Sequence, residues 1–161
     1  MSNRFLVGIF GGVGSGKKLL AEKLTRHIRD PRIEVCYGFA KIENPNYRIF
    51  IDKPYDRVLE DYVLSLPIKT FFDKTSLAKN LAEFRKFHME IVIPQKKLAD
   101  FWFQGDVGNE DDKIHHLAVS ILQKRATFGK DEMVKIYLES NHGNGPKSHP
   151  NQVKNGHFEI F

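Results

Sequence analysis

A single cysteine, Cys36, occurs among 161 residues, so no disulfide can form within the chain, and this usage points to a reducing compartment. No apolar run reaches the ~20 residues that a bilayer-crossing helix needs. The opening stretch MSNRFLVGIFGG lacks the layout of a secretory signal or an obvious transit peptide, so it supplies no address. There is no internal repeat and no block of like charge. The formal net charge is +5 and the pI about 9.3, a balance that suits a nucleic acid, an anionic membrane surface or an acidic protein. The basic residues are scattered, however, so the charge belongs to a solvated surface, and nucleic acid is not the expected partner. What remains is 41% apolar and 28% charged, the composition of a soluble globular protein long enough for one domain with its own core.

The apolar run RFLVGIF (Arg4 to Phe10) ends in glycines and suits a central parallel strand. Leu19, Leu20, Leu24 and Ile28 then fall at helical spacing from Lys17 to Arg29, and Pro31 stops that helix. RIEVCYGF gives a second strand. IENPNYRIFIDKPYD is expected as loop and turn around a few aromatics. Arg57 to Leu66 is a helix, Ile68 to Phe72 a third strand, Leu77 to Phe87 a helix, Met89 to Pro94 a fourth buried strand, and Lys96 to Phe103 a short helix. GDVGNEDD is an acidic loop. Lys113 to Arg125 is an amphipathic helix with Ile114, Leu117, Ile121 and Leu122 on one face, and Met133 to Leu138 is a last strand or helix. Strands alternating with helices predict an α/β fold, a three-layer parallel sheet with helices on both faces. The expected domain covers residues 1–140, and residues 141–161 form an extended tail, rich in Gly, Asn, His and Pro, that stays mobile or lies on a partner.

Between the first strand and the first helix lies GGVGSGKK: Gly11, Gly12, Val13, Gly14, Ser15, Gly16, Lys17 and Lys18. Through Lys17 this is the pattern of a phosphate-binding loop. Glycines let successive backbone N–H groups turn inward around a phosphate, the helix start adds its positive end, and the lysine supplies a mobile charge. The alternative is a plain glycine turn. The next position normally carries Ser or Thr, whose hydroxyl binds Mg²⁺. Lys18 cannot coordinate a cation, so Mg²⁺ is doubtful and binding can persist where phosphoryl transfer, which relies on that metal, fails.

From the loop to about Arg125, the order of motifs resembles the deoxynucleoside kinase family, including its catalytically altered member, the kinase-like accessory subunit of mitochondrial respiratory complex I. IFGGVGSGK with LLAEKL is similar to the family's first strand, phosphate loop and first helix. GFAKIENPNY resembles the stretch after the second strand, and FIDKPYDRVLEDYVL the segment that opens the next helix. FFDKTSLAKNLAEF resembles the third strand with its Asp-Arg-Ser/Thr motif, MEIVIP the fourth strand, and KKLADFWFQGDVGNEDDKI the arginine-rich lid and the helix after it. The resemblance implies a phosphate-loop nucleoside or nucleotide kinase fold. Its departures fall where the family keeps its chemistry. Phe39 and Ala40 stand for the catalytic Glu-Pro, Lys74 for the motif arginine between Asp73 and Thr75, and Asp100, Gln104 and Asp106 for the lid arginines. A phenyl ring takes no proton, and a carboxylate repels phosphate.

The resemblance therefore implies a nucleotide-binding protein with no catalytic residues of its own, holding a purine nucleotide (ATP, ADP or a deoxynucleotide). It would act as an accessory subunit among other proteins of a membrane-associated complex on the matrix side of the mitochondrial inner membrane. The alternatives are an active, cytoplasmic deoxynucleoside or nucleotide kinase and a nucleic-acid-translocating ATPase. The last would use Asp52 as a strand-end acid and Gln95 as a sensor, although Lys53 and Pro54 favour a turn there. Adjacent His115 and His116 face different directions on a helix, so no metal site is expected. Trp102 suits a base-stacking platform less well than a buried or interface anchor, and Cys36 a small core residue.

Overall fold

A computed structural model describes residues 4–38 and 42–141, with side chains through 130. The chain divides into two compact units, Met1–Arg125 and Ala126–Phe161. The first is an α/β unit around one sheet. Its strands are β1 (Phe5–Gly11), β2 (Ile33–Tyr37), β3 (Tyr47–Asp52) and β4 (Phe101–Gln104). They run in the order β2-β1-β3-β4, every pairing parallel.

Helix α1 (Lys17–Ile28) connects β1 to β2 and buries Leu20, Leu24 and Ile28 of the predicted stripe together with Ala21, whereas Leu19, also predicted to face the core, is exposed. The chain then crosses β1 to reach β3. Asn46 pins this crossing: its side-chain oxygen accepts from Leu6 N–H at 2.7 Å, and its N–H donates to the Leu6 carbonyl at 2.8 Å. From β3 the chain runs through α2 (Tyr55–Ser65), a 3₁₀ turn (Ile68–Phe72), α3 (Lys74–Phe87), a π turn (His88–Val92) and α4 (Ile93–Lys97) before β4. Phe10 and Phe50 pack with Ile42 and Val92 on one face of the sheet. Val7, Ile9, Ile49 and Ile51 are buried and, one residue out of phase, point to the other face. Helix α5 (Asp111–Asn141) buries Ile114, Leu117, Ala118 and Ile121 within the first unit, and residues 126–141, in the second unit, are helical. The arrangement is consistent with three layers.

Several predicted elements are corrected. The expected loop IENPNYRIFIDKPYD contains β3, because Tyr47, Ile49, Phe50 and Ile51 are buried between β1 and β4. Its Asn-Pro and Lys-Pro pairs bound the strand. The expected third strand, Ile68 to Phe72, is a 3₁₀ turn in which Ile68 is 77% and Phe72 85% exposed. The expected fourth strand, Met89 to Pro94, is helical: α3 runs on through the π turn into α4, and Pro94 lies in the first turn of α4, where a missing N–H is tolerated. The expected helix from Lys96 to Phe103 ends at Lys97, and the strand β4 takes its second half, pairing Phe101 with Ile49 and burying Phe103. β2 is the segment read as the second strand, whereas β3 and β4 are supplied by other segments than the third and fourth strands the resemblance implied. Met133 to Leu138 is helical. The tail expected from 141 lies, from 142 onward, outside the described residues, as do Phe39 and Ala40.

Candidate functional site

The glycine segment sits where β1 ends and α1 begins. Gly11 is the last residue of β1, Gly12 to Gly16 form the loop, and Lys17 and Lys18 open α1. Gly14 and Gly16 have φ of +66° and +88°, a region that side-chain-bearing residues seldom adopt. At Gly12 a Cβ would run into Val58 of α2, so the backbone there approaches its neighbour more closely than any other residue allows. The first backbone bond into α1 runs from Leu20 N–H to the Gly16 carbonyl, and the N-cap Gly16 offers no side chain to the amides of the first turn that follow it. Helix α3 differs: Asp73 Oδ1 accepts from Thr75 and Ser76 N–H at 3.0 and 3.2 Å.

Lys17 folds back over the loop. Its Nζ donates to the carbonyls of Gly11 at 3.0 Å and Gly12 at 2.5 Å, with Ser15 Oγ at 3.5 Å. Burial pulls the Lys17 ammonium below the ordinary lysine value. Ser15 is buried, Val13 half-buried and Lys18 exposed. The loop opens into a cleft of about 320 Å³ at the carboxyl ends of the strands, lined by Gly14, Ser15, Gly16, Asp52, Lys53, Arg57 and Asp106, with apolar Leu19, Ile51 and Val107. Clefts at this end of a parallel sheet are the usual ligand positions.

Asp52, expected in a turn, is instead the last residue of β3 and faces the cleft. Lys96 Nζ donates to both its carboxylate oxygens at 2.8 Å. The expected sensor Gln95 accepts from Arg48 at 3.4 Å and is not among the cleft residues. Asp106 accepts from Gly108 N–H and Asn109 Nδ2, both at 2.9 Å. Lys18, in the position where a hydroxyl would ligate Mg²⁺, brings no oxygen to the cleft. Every carboxylate on the cleft already has a donor, and the residue after Lys17 brings a positive charge.

Of the residues matched to the kinase lid, Asp106 reaches the cleft. Gln104 ends β4, and Asp100 accepts from Arg48 N–H at 2.7 Å. Asp73, Lys74 and Thr75 form the start of α3 away from the cleft residues. Trp102 on β4 is 51% exposed, donates through Nε1 to the Lys96 carbonyl at 2.9 Å, and holds Lys96 Nζ 5.0 Å from its ring centre. Cys36 is half-buried against the Phe10 cluster. His115 meets His27 edge to face, and His116 Nδ1 lies 2.9 Å from the Asp112 carbonyl. Among the described residues no group of three His, Cys, Asp or Glu could hold a metal ion.

Lys53 and Asp61 escaped the sequence reading as partners. Lys53 Nζ donates to Asp61 Oδ2 and to the Gly14 carbonyl at 3.3 Å. Their spacing of eight residues spans the end of β3 and the second turn of α2, so no local pattern marks the pair. Compared with known proteins, the chain matches no family model and no curated sequence.

Proposed function

We propose that the protein binds a purine nucleotide through the glycine loop and does not transfer its phosphate, as a phosphate-loop domain of nucleoside-kinase type kept for a role in a larger assembly. The observation that carries this reading is the loop itself. Two left-handed glycines and an uncapped helix start line a cleft at the strand ends, and Lys17, the next residue, keeps its ammonium on the loop carbonyls of Gly11 and Gly12. The residues that would hold the polyphosphate are Gly12 to Gly16 by their amides and Lys17 by its ammonium. The absence of transfer is supported by Lys18 in the position of the Mg²⁺-ligating hydroxyl and by carboxylates where the resemblance requires arginines.

The assembly part has two supports. The resemblance points to the accessory subunit of respiratory complex I, on the matrix side of the inner membrane. Independently, Leu64, Ile68 and Phe72 stand 76%, 77% and 85% exposed within nine residues, apolar side chains open to a protein partner. No described helix is long and apolar enough to cross a membrane, so contact with such a complex would run through protein subunits.

Calorimetry with ATP, ADP and deoxynucleotides tests the reading. Binding is expected with and without Mg²⁺, Lys17→Ala is expected to weaken it by ~1–3 kcal/mol, and no deoxynucleoside should be phosphorylated at an ordinary kinase rate. Absence of binding, or efficient transfer, overturns it. One observation favours a second reading, an ATP-hydrolysing enzyme: Asp52 occupies the strand end beside the loop. Mg²⁺-dependent hydrolysis that Asp52→Asn abolishes would decide for it.

A further inference from the structure

An anion site normally keeps carboxylates at a distance, yet one lies against this loop. The Asp61 side chain packs so closely on Gly14 that a Cβ there would collide with its carboxyl group. Lys53 offsets the charge. Its ammonium bridges the Asp61 carboxylate and the Gly14 carbonyl, tying α2 to the loop. Both side chains keep about a third of their surface exposed, 30% and 32%, and Lys53 lines the cleft together with Gly14, Ser15 and Gly16. Arg57, two-thirds exposed and paired with Glu60, lies on the same wall.

We propose that Lys53 and Asp61 form an anion-operated latch on the glycine loop. With the loop empty, Lys53 is held by Asp61 and Gly14. A polyphosphate seated in the loop brings more charge within reach of the ammonium than one carboxylate does, draws Lys53 to itself and becomes its second cationic contact beside Lys17. Asp61 is then the brake: it competes for Lys53 and repels the incoming anion. Lys53 supplies part of the charge neutralisation that a divalent cation would otherwise give. This rests on the nucleotide-binding reading above.

The two side chains make opposite predictions, which a purely structural ion pair does not. Binding of ATP and of inorganic tripolyphosphate is measured by calorimetry on the full chain with metal chelated. Asp61→Asn is expected to tighten both about tenfold, and Lys53→Gln to weaken both about tenfold or more, because it leaves Asp61 unpaired beside the loop. Lys53→Arg should stay near the unmutated value, and Asp61→Asn added to Lys53→Gln should recover much of the loss. The latch is overturned if the unmutated chain binds with dependence on Lys17 while Asp61→Asn leaves affinity equal or weaker. If neither the unmutated chain nor Asp61→Asn binds either probe, the nucleotide-binding reading itself falls. Thermal melts check folding, and should Lys53→Gln not fold, the Asp61→Asn result alone decides.

Discussion

At the scale of single residues, His88 is held against its chemistry. His88 begins the π turn after α3, is 5% exposed, and packs between the rings of Tyr55 at 5.0 Å and Phe84 at 5.9 Å. Its Nδ1 has no hydrogen-bond partner among the described residues. Burial pushes the imidazole below the ordinary histidine value, so the folded protein prefers it neutral. The sign follows: above the unfolded pKa near ~6.5 both states are neutral and His88 imposes no pH dependence. As pH falls through that value, the unfolded chain takes up a proton that the folded one resists, and stability is lost. Replacing His88 with Phe removes this response. The melting temperature of His88→Phe relative to the unmutated chain should rise steadily from pH 7 to pH 5, and a constant difference across that range would refute the assignment. Contacts of this kind were illegible in the sequence. His88 falls between the windows read as a helix (Leu77 to Phe87) and as a strand (Met89 to Pro94), and the Lys53–Asp61 and Lys96–Asp52 pairs form only because α2 and α4 return to the sheet. The glycine turn from β1 into α1 was legible because its residues, Gly11 to Lys17, occupy seven consecutive positions.

At the scale of elements, legibility followed how local each element's cause is. β1, α1, α2 and α3 were readable from glycine, proline and apolar spacing within their own windows. The short runs Ile68 to Phe72 and Met89 to Pro94 were not, because apolar-rich runs of five or six residues fit a strand or a buried turn of helix equally well and packing decides. Phe72 points outward and Val92 inward, which only the assembled sheet settles. Asp73 shows a local cause acting alone. The sequence reading matched it to a catalytic motif, whereas the structure gives it the cap of α3, with both bonded amides in the first turn. Asp73→Ala should cost ~1 kcal/mol in denaturant unfolding. Nucleotide affinity should not change, because Asp73 is not a cleft residue. A loss of affinity larger than the loss of stability would instead support the motif role.

On the scale of the whole first unit, the loop is placed to couple binding to the sheet. β1 is hydrogen-bonded on both sides, to β2 and β3, and β3 carries β4. The loop joins the end of β1 directly to α1, which packs along β1 and β2. An anion held by loop amides and Lys17 therefore restrains the central strand and its covering helix together. A ligand that binds only the folded state stabilises it by RT ln(1 + [L]/Kd), ~2.7 kcal/mol at a hundredfold excess over Kd. Because the strands share one hydrogen-bonded sheet, that gain should be spread over all of it, as expected of a cooperative unit. Hydrogen exchange with saturating ADP should slow the amides of all four strands by similar factors, including β4, which does not touch the loop segment in sequence. Lys17→Ala should abolish the slowing at the same ADP concentration. Slowing confined to residues 11–20 would mean that the nucleotide orders its own loop and leaves the sheet as it was, and a structural role for the ligand would be refuted.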